Sequence, residues 1–169
     1  MTDNEKVVIS YKDKTAEFPV VASNVGSDAM DISKLQSTLG LHTFDQGFVN
    51  TASTKSGITF IDGEAGILRY RGYPIEQLAA KKSFLDVSYL LIYGELPDKV
   101  QLDSFDQSLR RHTLIHEDLK RFFDAFPQNA HPMSVLASGV SALSTFYQDS
   151  LDPHDHEQVE LSTRRLLAK

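Results

Sequence analysis

Residues 57–97, GITFIDGEAGILRYRGYPIEQLAAKKSFLDVSYLLIYGELP, decide the predicted fold. Two short β-branched and aromatic runs, 58–61 and 67–70, flank a glycine-containing connection of the length that joins hairpin strands. Pro74 stands where a proline is tolerated in the first turn of a helix. Ser83 can cap a second helix, and a glycine follows that helix. The stretch therefore predicts a small β-hairpin followed by two helices.

The residues before this stretch have β and loop character. Residues 6–11 and 15–20 have the side-chain preferences of two hairpin strands. Asp31 can cap a short helix that ends near Gly40. Residues 43–50 are predicted to be extended or looped.

The residues after Pro97 have helical spacing throughout, with short connections. The predicted helices begin at Asp98, cover 115–126 and 132–147, and run from about Asp155 to Lys169. The segment 132–147 is rich in small residues, which allow another helix to approach closely. Its partner could be the protein's own core or a second subunit, and the sequence leaves both open.

The composition is that of an ordinary globular protein. Of 169 residues, 41% are apolar and 24% are charged, and the net charge is −6. The negative charge gives no indication of a nucleic-acid or anionic membrane partner. Because the chain has no cysteine, disulfides and thiolate metal sites are excluded. No apolar run approaches the roughly 20 residues of a membrane span, and no targeting signal is apparent, so a cytoplasmic location is expected.

The same stretch carries a family resemblance. ITFIDGEAGILRYRGYPIEQLA, followed by FLDVSYLLIYGELP, resembles the amino-terminal part of citrate synthase, in particular the long-chain type of Gram-negative bacteria. HTFDQGFVNTAS before it and RHTLIHE, HPM and FYQDSLD after it extend the resemblance over nearly the whole chain. The fold class is therefore predicted as mainly α, with amino-terminal β-hairpins and loops followed by a helical bundle.

The resemblance also implies a domain organisation. Residues 1–50 would form an amino-terminal β and loop segment, and residues 51–169 would form the first part of the family's large helical domain. The change from β to helical character itself falls near Pro74. Because the last predicted helix has no terminating residue and the family's chains are longer, we expect an amino-terminal fragment that is truncated at Lys169.

By resemblance, the parent is an enzyme of the tricarboxylic acid cycle. It would transfer an acyl group from acetyl-CoA to oxaloacetate, giving citrate and CoA, without a required cofactor. The family's catalytic histidines, aspartate and substrate-binding arginines lie in the carboxy-terminal portion. No catalytic residue is therefore predicted here, and the fragment is expected to be inactive. Self-association is expected, as a dimer of the family fold and a homohexamer at full length.

A second implied site is regulatory. The long-chain type is inhibited by NADH at an allosteric pocket apart from the active centre. Motif by motif, the matching residues are Arg111, His112, Thr113, Leu114, Tyr147, Arg165 and Lys169. Arg165 and Lys169 are four apart and would project from one helix face toward an anion, and an arginine fork suits a phosphate. Tyr147 could stack against a base or bond a sugar.

No metal site is predicted. His112 and His116 have the i, i+4 spacing of helical metal ligands, but they lack a third ligand at a fixed distance. The run 154–157, His-Asp-His-Glu, is better explained as a solvated helix start whose acidic side chains complement the helix dipole. His131 is expected to cap or pack near a helix start.

Two other functions remain open. The chain could be part of a 2-methylcitrate synthase, which uses propionyl-CoA, although the hairpin of residues 6–20 resembles the long citrate synthase type. It could instead be a stand-alone module that binds a nucleotide or a partner subunit without catalysis. The absence of catalytic residues favours the module, and the uncapped last helix argues against it.

Overall fold

A computed structural model describes residues 5–169, which form seven α-helices, a 3-10 turn and two small antiparallel sheets. The predicted mainly α fold class is confirmed. The chain divides into two compact units, one ending at Ile75 and the other beginning at Glu76. Within the described part of the chain, every helix is too short or too polar to cross a membrane.

The first sheet contains the predicted amino-terminal hairpin. Strand β1 (Lys6–Tyr11) pairs antiparallel with β2 (Lys14–Val21). Lys12 takes a positive φ of 53° in the two-residue turn, as tight hairpin turns require. A third strand, β3 (Ala29–Met30), pairs with the end of β2. Sequence reasoning did not find it, because two residues carry no periodic signal.

A small core holds this sheet against the first helix. Phe18 is 2% exposed and packs with Leu35 and Leu39. These leucines belong to α1 (Leu35–Leu39), which ends at a left-handed glycine as predicted. The predicted cap was wrong: Asp31 accepts the Ser33 N–H and forms a local turn. Lys34 therefore occupies the N-cap, without a capping side-chain bond.

The second sheet confirms the hairpin predicted from residues 58–61 and 67–70. Strands β4 (Thr59–Asp62) and β5 (Ile67–Tyr70) pair antiparallel. The chain then turns back at a tight turn and forms β6 (Tyr73–Pro74). Pro74 is thus a strand residue just before α2, and its predicted place in the first helical turn was wrong by one position.

Helices α2 (Ile75–Lys81), α3 (Phe84–Tyr93) and α4 (Lys99–Arg110) follow. The Ser83 cap of α3 and the Asp98 cap of α4 are confirmed. In each cap, the side chain of the third helical residue accepts a hydrogen bond from the N-cap N–H in return. The two bonds together satisfy two of the free N–H groups at each helix start. Local sequence therefore fixes where both helices begin.

Helices α5 (Glu117–Asp124), α6 (Pro132–Phe146) and α7 (His156–Ala168) complete the second unit, with a 3-10 turn at Gln148–Ser150 between the last two. The ring nitrogens of two histidines act as helix caps, because His116 accepts from the Asp118 N–H and His131 from the Met133 N–H. The capping role expected for His131 is confirmed.

Helix α6 has one tightly packed side and one side that carries exposed apolar residues. Gly139 is buried, and a Cβ placed there would lie 2.8 Å from Phe123 Cζ, so the missing side chain lets α5 and α6 approach closely. Met133, Leu136 and Val140 are 62%, 56% and 48% exposed on the same helix. One side of α6 therefore packs internally, and its apolar residues elsewhere face outward.

Candidate functional site

The last helix supplies the two cations that the sequence paired. Helix α7 begins at the Asp155 N-cap, whose carboxylate accepts the Glu157 and Gln158 N–H groups. Those bonds, chiefly the one from Gln158, lower the pKa of Asp155. Arg165 and Lys169 then stand one turn apart, and their side chains reach the same aromatic ring. The predicted shared face is confirmed.

The ring of Tyr147 is flanked by both cations. Arg165 Cζ lies 4.8 Å and Lys169 Nζ 4.6 Å from the ring centroid, within the range of favourable cation–π contact. Tyr147 directly follows α6, and its hydroxyl donates a long bond of 3.4 Å to the carbonyl of Leu114. Tyr147 therefore joins the end of α6 to α7 and to the loop after α4.

Lys169 fastens that loop to the helix. Its Nζ donates to the carbonyl oxygens of His112 and Leu114, at 2.8 and 2.5 Å. The loop thus contributes backbone acceptors, while the side chain of Leu114 is 84% exposed. We call the group formed by His112, Leu114, Tyr147, Arg165 and Lys169 the Tyr147 cluster.

Arg165 has an anionic partner that sequence reasoning missed. Its Nη1 and Nη2 donate to the two carboxylate oxygens of Asp149 at 2.6 and 2.9 Å, and Nη1 also donates to Ser150 Oγ at 2.9 Å. The hydrogen bond between the two side chains raises the pKa of Arg165 and lowers that of Asp149. Asp149 lies within the FYQDSLD motif, but no spacing rule connects it to a residue sixteen positions later.

His112 lies half-buried among positive charges. Burial is the main cause that lowers its pKa, followed by the charges of Arg165, Lys169, Arg164 and Arg111. The imidazole is therefore held in its neutral form more strongly than that of an ordinary histidine.

Because its pKa is lowered, His112 should make the stability depend on pH. In the unfolded chain, histidine keeps its ordinary pKa of 6.5 and takes up a proton before folded His112 does. Acid therefore favours unfolding: the contribution is complete above the unfolded pKa and is lost as the pH falls from there through the lower pKa of folded His112. The free energy of urea unfolding should fall as the pH is lowered below the unfolded pKa of 6.5, and less so in His112→Gln.

The exposed His42 provides the matched control, since His42→Gln should keep the wild-type pH slope. An unchanged slope in His112→Gln would contradict the assignment.

Two of the predicted residues point away from the Tyr147 cluster. The Thr113 hydroxyl donates to the carbonyl of Arg110 at 3.0 Å and finishes the end of α4. Arg111 lines a neighbouring groove of about 600 Å³ between α3, α4 and α7, in which Arg164 bonds Glu160 at 3.0 Å. The structure thus brings together five of the seven predicted residues and places Arg111 and Thr113 beside them.

The cluster combines two cations with an aromatic ring and carries no catalytic constellation. Its cations and aromatic ring suit a planar, anionic ligand, and no nucleophile is paired with a general base among its five members. Among residues 5–169, no group of three or more His, Asp or Glu side chains is placed to share a metal ion. His116 has a different use, because its ring nitrogen caps α5.

Sequence comparison identifies the family. Residues 47–169 match the family described as "Citrate synthase, C-terminal domain". The chain belongs to the citrate synthase family. The resemblance that the motifs indicated is confirmed at the level of the family.

Two curated members of the citrate synthase family match almost the whole chain. Citrate synthase 1 of Mycobacterium tuberculosis is 57% identical over 166 residues, which is 98% of this chain. The citrate synthase of Corynebacterium glutamicum is 50% identical over 168 residues, or 99% of the chain. In both cases the match spans only 38% of the relative. The sequence therefore spans well under half the length of these citrate synthases.

The fold agrees with that of the family. The crystal structure of citrate synthase from Pyrobaculum aerophilum superimposes with a TM-score of 0.63 at 27% identity, covering 98% of this chain and 38% of that one. The described helices and small sheets are thus those of a citrate synthase over this part of the chain.

Proposed function

We propose that this sequence is the amino-terminal part of an enzyme that condenses acetyl-CoA with oxaloacetate to form citrate and CoA. The observation that carries the proposal is the 57% identity to a curated citrate synthase across 98% of the chain. The enzyme would be an acyltransferase of the tricarboxylic acid cycle and would need no cofactor. Its catalytic residues would lie outside residues 1–169, and a cytoplasmic location remains a prediction.

A CoA-release assay tests this proposal. The full-length protein that carries this sequence should release CoA from acetyl-CoA only when oxaloacetate is present, and the 169-residue chain alone should release none. Propionyl-CoA serves as the comparison substrate. Absence of oxaloacetate-dependent release, or faster release from propionyl-CoA, would contradict the proposal, and the second result would favour 2-methylcitrate synthase.

We also propose that the Tyr147 cluster is part of a regulatory site for NADH, as in the long-chain Gram-negative type. The placement of Arg165 and Lys169 against one tyrosine ring supports a ligand that combines a flat ring with negative charge. His112 and Leu114 would frame the site with their backbone, while Arg111 and Thr113 would border it. Further members would lie outside this chain.

Titration with NADH distinguishes regulation from catalysis. In the full-length protein, NADH should bind saturably and reduce CoA release. Binding without any CoA-release activity would favour a stand-alone nucleotide module. No saturable binding at millimolar NADH would remove the regulatory site and leave the condensation proposal standing.

Self-association completes the proposed function. The outward apolar residues Met133, Leu136 and Val140 on α6 would be covered by a second copy of the chain, since apolar patches on a helix face commonly mark an interface. We propose a homodimer as the basic assembly and a homohexamer at full length. Light scattering measures the state of assembly, and a monomer at high protein concentration would contradict both the dimer and the hexamer.

A further inference from the structure

The anion position of the Tyr147 cluster is already occupied by the protein's own carboxylate. Asp149 receives two parallel hydrogen bonds from Arg165, at 2.6 and 2.9 Å. This is the fork geometry in which arginine binds a carboxylate or a phosphate. A ligand phosphate that approaches Arg165 beside the Tyr147 ring would therefore meet Asp149 at the donors it needs.

The two partners of this ion pair differ in how firmly they are held. The side chain of Arg165 is 15% exposed, and that of Asp149 is 64% exposed. Arg165 is also fixed by the buried Ser150, whose backbone carbonyl accepts a hydrogen bond from Ser162 on α7. Asp149 can rotate into water and be solvated, whereas Arg165 would remain in place. Displacement would thus move the aspartate and keep the arginine.

The balance of charge favours a multiply charged ligand. Lys169 is bonded to two neutral carbonyls and therefore keeps its full positive charge, while Asp149 neutralises Arg165. When a ligand with a single negative charge replaces Asp149, Arg165 loses one anionic partner and gains another, with no additional attraction. A diphosphate brings two charges, one for each cation, and gains an attraction that Asp149 alone does not provide.

We propose that Asp149 is an internal competitor that weakens the binding of anionic nucleotides at this site, so that a nucleotide needs the two charges of a diphosphate to bind well in its place. This inference rests on the proposed regulatory site. In the free protein, Asp149 pairs with Arg165; in the complex, the diphosphate replaces it and the carboxylate turns to solvent. Uncharged nucleosides cannot replace it. Asp149 thus sets the affinity of the site for anionic nucleotides.

The test compares Asp149→Asn with wild type in the full-length protein, with NADH and adenosine as the two probes in calorimetric titrations. Asp149→Asn should bind NADH about 3- to 5-fold more tightly, which is the upper part of the range for release of an exposed ion pair. Adenosine binding should not change. Asp149→Glu, which retains the charge, should resemble wild type, and Asp149→Asn should unfold thermally within a few degrees of it, since the lost ion pair is partly exposed.

Asp124→Asn provides the matched control, since it removes one exposed acidic charge at the end of α5 and should leave NADH affinity unchanged. If Asp149→Asn weakens NADH binding, Asp149 positions Arg165 and the competitor role is overturned while the nucleotide site stands. Equal affinity in Asp149→Asn and wild type also overturns it. If neither protein binds NADH, or if binding is indifferent to Arg165→Gln, the proposed regulatory site itself fails.

Discussion

Replacing Arg165 with glutamine should weaken NADH binding to the full-length protein by about 10- to 100-fold. A hydrogen bond between charged groups contributes about 1.5–3 kcal/mol, and Arg165 can donate two to a phosphate. The substitution also removes one of the two cations beside the Tyr147 ring. Calorimetric titration measures the change, and CoA release should become correspondingly less sensitive to NADH.

Arg110→Gln is the matched control for this experiment. Arg110 bonds Asp106 within α4, and its side chain is 75% exposed, so the same change of charge there should leave NADH affinity within about 2-fold of wild type. Equal losses of NADH affinity in Arg110→Gln and Arg165→Gln would indicate that binding depends on the overall charge of the protein and not on Arg165 in particular. Unchanged affinity in Arg165→Gln would contradict the assignment of the anion position.

Replacing Leu90 with alanine should lower the free energy of unfolding of the 169-residue chain by about 3 kcal/mol. Leu90 is 0% exposed, and truncating a fully buried leucine removes its transfer free energy and leaves a cavity. Helix α3 packs against α4, so the cavity would loosen the helix that carries Arg110 and the loop after it. Urea unfolding followed by circular dichroism measures the loss.

The same helix offers a control for Leu90. Ile92 lies two residues further along α3 and is 38% exposed, so Ile92→Ala should cost at most about 1 kcal/mol. A loss in Leu90→Ala that does not exceed the loss in Ile92→Ala would show that Leu90 is not a core residue.

The sequence predicted helix starts best where the signal was local. Ser83 and Asp98 each lie three residues before a side chain that can return the bond, and both caps are present as predicted. Asp31 failed because the same chemistry can serve a turn: its carboxylate accepts a hydrogen bond from Ser33. A residue of the capping type thus predicts that its side chain accepts a hydrogen bond from a nearby backbone N–H. It does not predict whether that N–H belongs to a turn or to a helix.

The candidate site shows the corresponding limit for contacts that are distant in sequence. The i, i+4 relation of Arg165 and Lys169 was readable from helix geometry. Their meeting with Tyr147 was expected only through the family resemblance, and the ion pair with Asp149 was missed. That pair depends on how the 3-10 turn before α7 folds back, which no periodicity encodes. The anionic partner of Arg165 was therefore the hardest residue of the site to assign.

The concentration of positive charge around His112 has a consequence for how ligands arrive. The chain has a formal net charge of −6, yet four permanent cations act on this histidine. At physiological ionic strength, screening confines their field to about 8 Å. Because Arg165 and Arg164 are paired with Asp149 and Glu160, the attraction on a small anion at this distance comes mainly from Lys169 and Arg111, whereas an extended polyanion also meets the acidic remainder of the surface. Local attraction and overall repulsion together favour rapid capture of small anionic ligands over nucleic acid.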